Sequence, residues 1–201
     1  MSDTVIVQHC YSGSDYGRLL ELTVPIHVAY CRKHNVDFHI VYGDPEENDV
    51  TTSGHSFQTI LIQRLLHTQY KYIAYLDADA VILDFSTDLR TAFTSGIGLV
   101  KYKIDSTQSL FCTGVAYFTN TEAVKSFVDE WVIESVFPRW YELGSFHVIM
   151  GRHPGVVIEI EKRWNMNFQD RCSNPVVFAM HHGFLTVDQR IEGIKKELGM
   201  A

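Results

Sequence analysis

Apolar positions recur along the chain in two rhythms. Short, nearly unbroken apolar runs occur at Thr4 to Gln8, Tyr72 to Leu76, Val156 to Ile160 and Val176 to Met180. Runs of this length read as strands covered on both faces, as in a parallel sheet. Asp37 to Tyr42, Ile97 to Tyr102 and Phe111 to Asn120 predict further strands. Between them the period lengthens. Leu19, Leu20, Thr23, Val24, His27, Ala29 and Tyr30 recur at helical spacing until His34-Asn35, and Pro25 predicts a kink or break there. Phe57 to Gln69 predicts a second helix, and Thr87 to Phe93 a short one. Thr121 caps a helix running to about Ser135, with Val124, Phe127, Val128, Trp131 and Val132 on one face. Phe146 to Met150 and Val187 to Leu198 complete the helical set, and Gly43 to His55 is a polar loop. The opening order, strand-helix-strand-loop-helix-strand, closes by right-handed crossovers into an α/β fold: a mixed, mainly parallel Rossmann-like sheet flanked by helices.

The chemistry concentrates behind one strand. Asp77 and Asp79 follow Tyr72 to Leu76 at once, with a single Ala between them. On an extended backbone, residues two apart point the same way, so both carboxylates aim outside the carboxyl end of the strand. Ligands bind there in open α/β sheets, and one or two carboxylates with phosphate oxygens are a common setting for Mg²⁺ or Mn²⁺. The bland alternative is a solvated turn.

Composition narrows the class. The 201 residues are 46% hydrophobic and 20% charged, which predicts one soluble globular domain spanning 1–201. The net charge is −7 and the 17 basic residues are scattered, so no nucleic-acid partner is expected. Cys10, Cys31, Cys112 and Cys172 are far apart and read as reduced thiols. There is no secretory leader pattern and no run of about 18 apolar residues, which predicts a cytoplasmic protein without a membrane span, in a host's cytoplasm if the chain is viral.

Several stretches together resemble GT-A glycosyltransferases that use nucleotide sugars. They are most similar to the galactosyltransferase and xylosyltransferase family, which includes fungal α-galactosyl- and mannosyltransferases and plant xyloglucan xylosyltransferases. The likeness lies in the strand, polar loop and long helix of Val5 to His34. It continues in the helix and strand of Gln63 to Leu83 with Leu76-Asp77-Ala78-Asp79, and in Cys112 to Trp131. Arg163-Trp164-Asn165 and the late His181-His182 follow in the same order. Two departures stand out. Cys112 occupies the place of a family Asn, and Tyr141 to Phe146 lacks an Asp-Gln pair, leaving Glu142 as the nearest carboxylate.

The resemblance implies a metal-dependent enzyme moving a sugar from a UDP-sugar to a glycan or other hydroxyl acceptor, with retention. Asp79 would ligate Mn²⁺ or Mg²⁺ directly, Asp77 would bind it through water or hold the ribose, and His181 or His182 would add an imidazole. Tyr11 and Ser12 or Ser14 would meet the base, while Lys101, Lys103 or Asp105 would reach a phosphate or an acceptor hydroxyl. Glu142 is a candidate catalytic carboxylate, with Asp77 and Asp79. Two other readings compete: a nucleotide-sugar-binding module without catalysis, and a phosphatase of the haloacid dehalogenase type. The latter normally carries its Asp-x-Asp on the first strand, whereas here it ends the third.

Overall fold

The computed structural model describes residues 2–10, 15–42, 54–103, 109–135, 142–180 and 184–200, and of 54–56 and 142 the backbone alone. Among the described residues the strands begin with β1 (Thr4–Cys10), β2 (Asp37–Tyr42), β3 (Tyr72–Asp77) and β4 (Ala80–Ile82). They continue with β5 (Ile97–Leu99), β6 (Lys101–Lys103), β7 (Ser109–Phe111), β8 (Val115–Thr119), β9 (Val157–Glu159), β10 (Met166–Asn167) and β11 (Val177–Ala179). The α-helices are α1 (Gly17–His34), α2 (Gly54–Leu66), α3 (Glu122–Ser135), α4 (Glu142–Arg152) and α5 (Val187–Glu197).

The main sheet has the order β2-β1-β3-β8-β5-β9. The pairs β1/β2, β1/β3 and β5/β9 are parallel, while β8 runs antiparallel to both its neighbours. The central strand shows why its sequence is apolar throughout. Ile73 and Tyr75 enter the core beneath α2, α3 and α4, whereas Ala74 and Leu76 enter the core on the opposite face with Tyr30 of α1. Burial on both faces leaves no polar alternation to read. On α3, Val124, Phe127, Val128 and Trp131 are buried against the first of these cores, as the helical period predicts.

Several elements differ from expectation. Helix α1 runs unbroken through Pro25, which is exposed, so the carbonyl left without its N–H partner faces water. The helix expected at Thr87 to Phe93 is a single 3₁₀ turn, Leu89–Ala92, capped by the Asp88 carboxylate accepting from Arg90 N–H at 2.9 Å. The strand expected over Ile97 to Tyr102 is two: β5 stays in the main sheet, and β6 leaves it to pair with β7 in a separate ribbon. The strand expected from Phe111 breaks before Val115 for the same reason. The apolar residues after Asp79 form β4, which joins β11 and β10 in a small sheet of its own.

The four cysteines are unpaired by disulfides, with Cys10 and Cys31 buried. Burial pushes the Cys31 thiol up to about 12, so it stays protonated and inert. No helix among the described residues is long and apolar enough to cross a membrane.

Candidate functional site

The acidic pair sits where three strands meet the same edge of the sheet. In the parallel pair, His9 near the end of β1 lies level with Asp77 at the end of β3. Because β8 runs the other way, its beginning is at this edge too, and Asp77 N–H donates to Gly114 O at 2.8 Å. Strand geometry ends at Asp77, and Ala78-Asp79 turns the chain back into β4. The alternation that would aim both acids at one point therefore stops after the first, and the two carboxylates have different surroundings.

Asp77 is half-buried, and Tyr75, two residues before it on the same face of β3, donates its phenol O–H to Asp77 Oδ1 at 2.9 Å. Asp79 is only 2% exposed. Its Oδ2 accepts a charge-assisted hydrogen bond from Arg190 Nη1 of α5. Arg190 is itself buried, donates from Nη1 to Met180 O at 3.2 Å and from Nε to Leu185 O at 3.4 Å, and lies over the Tyr16 ring. One guanidinium thus ties the acidic turn to the end of β11, to the start of α5 and to the entry of α1. A planar five-donor group suits this task where an ammonium would not.

A second buried group supports the turn from below. Gln8 of β1 donates from Nε2 to Asp77 O at 3.1 Å and to Thr23 Oγ1 at 3.2 Å. Gln8 Oε1 lies 3.2 Å from His27 Nδ1, and Ile82 N–H donates to His27 Nε2 at 3.3 Å. These contacts fix the tautomer, because an Nε2 that accepts requires the proton on Nδ1, which then donates to Gln8. Gln8, Thr23 and His27 are all fully buried, and burial drops the His27 imidazole to about 3. It is neutral under all ordinary conditions.

The remaining candidates fall in different places. Lys101 lies on the β6/β7 ribbon with its ammonium 5.5 Å from the centre of the Phe111 ring, and Lys103 closes the same strand, exposed. Glu142 opens α4, with its side chain outside the described residues. Tyr11, Ser12, Ser14, Asp105, His181 and His182 also lie outside them, as does most of the polar loop after Tyr42. The described part of β1 ends at Cys10, one residue past His9 at the edge that carries Asp77.

A divalent cation is implied by the resemblance, and the described donors answer only in part. Asp77 offers a hard, half-exposed carboxylate. Asp79 carries a guanidinium on Oδ2, and among the described residues no three His, Cys, Asp or Glu converge. Among the described residues the candidate ligands are therefore Asp77 and Asp79.

Arg190, Tyr75, Gln8 and His27 are absent from the set named on sequence grounds. A signal existed for two of them. Gln8 is a polar residue in an apolar strand, and His27 stands four residues after Thr23 on an apolar helical stripe. Polar groups in such positions are buried with partners more often than not.

No protein-family model matches the chain, and no curated protein matches it in sequence. Solved structures do match. A glycosyltransferase involved in glycosylation of the major capsid of PBCV-1 superposes with a TM-score of 0.74 at 13% identity, over 96% of this chain and 99% of that one. Galactosyltransferase LgtC, in complex with donor and acceptor sugar analogs, gives 0.62 at 14% identity over 98% and 95%. Drosophila β1,4-galactosyltransferase 7, in complex with manganese, UDP-Gal and xylobiose, gives 0.56 at 15% identity over 89% and 71%. The chain thus has the GT-A glycosyltransferase fold, a mixed and mostly parallel sheet flanked by helices.

Proposed function

We propose that the protein is a glycosyltransferase that moves a sugar from a nucleotide-sugar donor, a UDP-sugar, to a hydroxyl of a carbohydrate or glycoconjugate acceptor. The observation that carries this reading is the half-buried Asp77 carboxylate at the edge where β1, β3 and β8 meet, in a fold shared with glycosyltransferases. The complexes of LgtC with sugar analogs and of the Drosophila enzyme with UDP-Gal support the choice of donor.

In this proposal Tyr11 and Ser12 receive the base, Asp77 accepts hydrogen bonds from the ribose, and Lys101 or Asp105 reaches a phosphate or an acceptor hydroxyl. Glu142 is the carboxylate on the acceptor side. The bond from the anomeric carbon to the diphosphate breaks and a bond to the acceptor oxygen forms. The acceptor oxygen attacks from the face that the diphosphate leaves, which retains the anomeric configuration, and its proton passes to the departing phosphate. Mn²⁺ or Mg²⁺ belongs to the proposal as an ion that Asp77, Asp79, His181 and His182 would hold, where it would supply positive charge for the departing diphosphate.

The test is a panel of nucleotide sugars assayed for nucleotide release, with Mn²⁺ and with chelator, with and without simple sugar acceptors. Release from one UDP-sugar that accelerates with an acceptor is expected. Binding without release would identify a non-catalytic module, and loss of release in chelator would establish the ion. In the same assay Asp77→Asn is expected to lower turnover on the order of a hundredfold, because it removes a charge that orients the donor. Its folding stability should stay near wild type, since the side chain is half-exposed and the Tyr75 phenol retains an oxygen to donate to.

A further inference from the structure

Accepting that reading of Asp77, we propose that Gln8 and His27 are positioning residues for the donor site, a buried relay that sets the acidic turn from the far side of the sheet. The turn begins at Asp77 and has entered β4 by Ile82, and the relay holds both places. Gln8 takes the carbonyl of Asp77 and His27 takes the amide of Ile82, at 3.1 and 3.3 Å. Gln8 and His27 also bind each other at 3.2 Å, so the two anchor points are joined by side chains rather than by the turn itself.

The donor and acceptor pattern leaves no slack. His27 has one N–H and one lone pair, and both are used. Both Gln8 amide hydrogens are used as well, one by Asp77 O and one by Thr23 Oγ1. Each of the three side chains is fully buried, so water cannot take over a lost partner. A rigid peptide at Asp77 has a direct result, because its N–H is fixed to Gly114 O and its carboxylate to the Tyr75 phenol. Releasing the carbonyl frees the Asp77–Ala78 peptide at the start of the turn and leaves the residue held by its N–H and phenol contacts alone, so the carboxylate is placed less tightly toward the donor. The demand on precision is severe, since site groups must be held to about half an ångström to act on a substrate.

The experiment compares UDP affinity, measured by calorimetry, in the wild type, Gln8→Met and Tyr30→Phe. Tyr30 is the control. It also belongs to α1 and makes two hydrogen bonds across the core, to Thr87 O at 2.8 Å and from Leu89 N–H at 2.7 Å, neither of them to the turn. Both variants are expected to lose stability, but only Gln8→Met should bind UDP at least tenfold more weakly at a temperature where both are folded. Exchange of the Ile82 amide hydrogen should quicken in Gln8→Met and not in Tyr30→Phe. If Gln8→Met does not fold, Thr23→Val carries the same comparison, since it removes the acceptor that orients the Gln8 amide. Wild-type affinity in the relay variant, or an equal loss in Tyr30→Phe, overturns the positioning role alone. A wild type that does not bind UDP overturns the donor reading, and the role with it.

Discussion

Asp79→Ala is expected to cost about 3–5 kcal/mol of folding stability, because it takes a carboxylate away from a buried guanidinium. Arg190 is only 7% exposed, and two other groups it donates to, Met180 O and Leu185 O, are neutral carbonyls. A loss of that size is a large part of the roughly 5–15 kcal/mol that holds a domain together. Arg190→Met should be comparably harmful for the mirror reason, a carboxylate left in a buried turn. The double variant Asp79→Leu/Arg190→Met should recover much of the loss, since replacing a whole buried pair with apolar groups of similar volume is often neutral or better. Urea unfolding of the four proteins gives the cycle directly. Additive losses in the double variant would show that the two side chains do not act as a pair. The practical result concerns how the acidic pair is probed. Inactivity of Asp79→Ala would report unfolding as readily as chemistry, whereas Asp77→Asn tests the proposed role of the turn without emptying a buried ion pair.

Acid is expected to destabilise the protein through His27. The folded imidazole is depressed to about 3 by burial, against 6.5 for the exposed group. Between those values the unfolded chain binds a proton that the folded chain refuses, so stability falls as the pH falls, by up to about 1.4 kcal/mol per unit. From pH 7 to pH 5 the loss approaches about 2 kcal/mol from this residue alone. Geometry agrees with the sign. A proton on Nε2 would set N–H against the Ile82 N–H that now donates to it. Urea midpoints at pH 7 and pH 5 check this, with His27→Met as the reference. The wild type should lose that much more than the variant across the interval, and parallel losses would refute the assignment.

Long periodic elements were legible in the sequence because burial imposes the period. The face of α3 from Val124 to Trp131 and the apolar run of β3 both follow from it. The acidic turn was legible for a related reason, since two acids directly after so apolar a strand fall at a sheet edge. Short elements were not. A three-residue strand such as β4 is too brief to show a period, and its pairing with β11 depends on residues about a hundred positions away. The split between β5 and β6 is likewise a matter of partners, with Val100 between them still accepting from Cys112 N–H at 3.3 Å. Arg190 escaped notice because a lone arginine on a polar helix reads as solvated. Only its place four residues before the buried Ile194 marks it as facing inward.

The tie between Asp79 and Arg190 also orders events in time. The two residues are 111 positions apart, so the emerging chain makes its carboxylate long before the guanidinium that will balance it. Local contacts within α1, α2 and the parallel strands require much shorter loops and can form first, while a contact of this span pays its closure entropy late. Until α5 docks, the turn holds an acid that favours water over the core, and the edge of the sheet stays open around it. The edge that carries the acidic turn is therefore among the last parts of the molecule to become itself, and its completion reports that the far end of the chain has arrived.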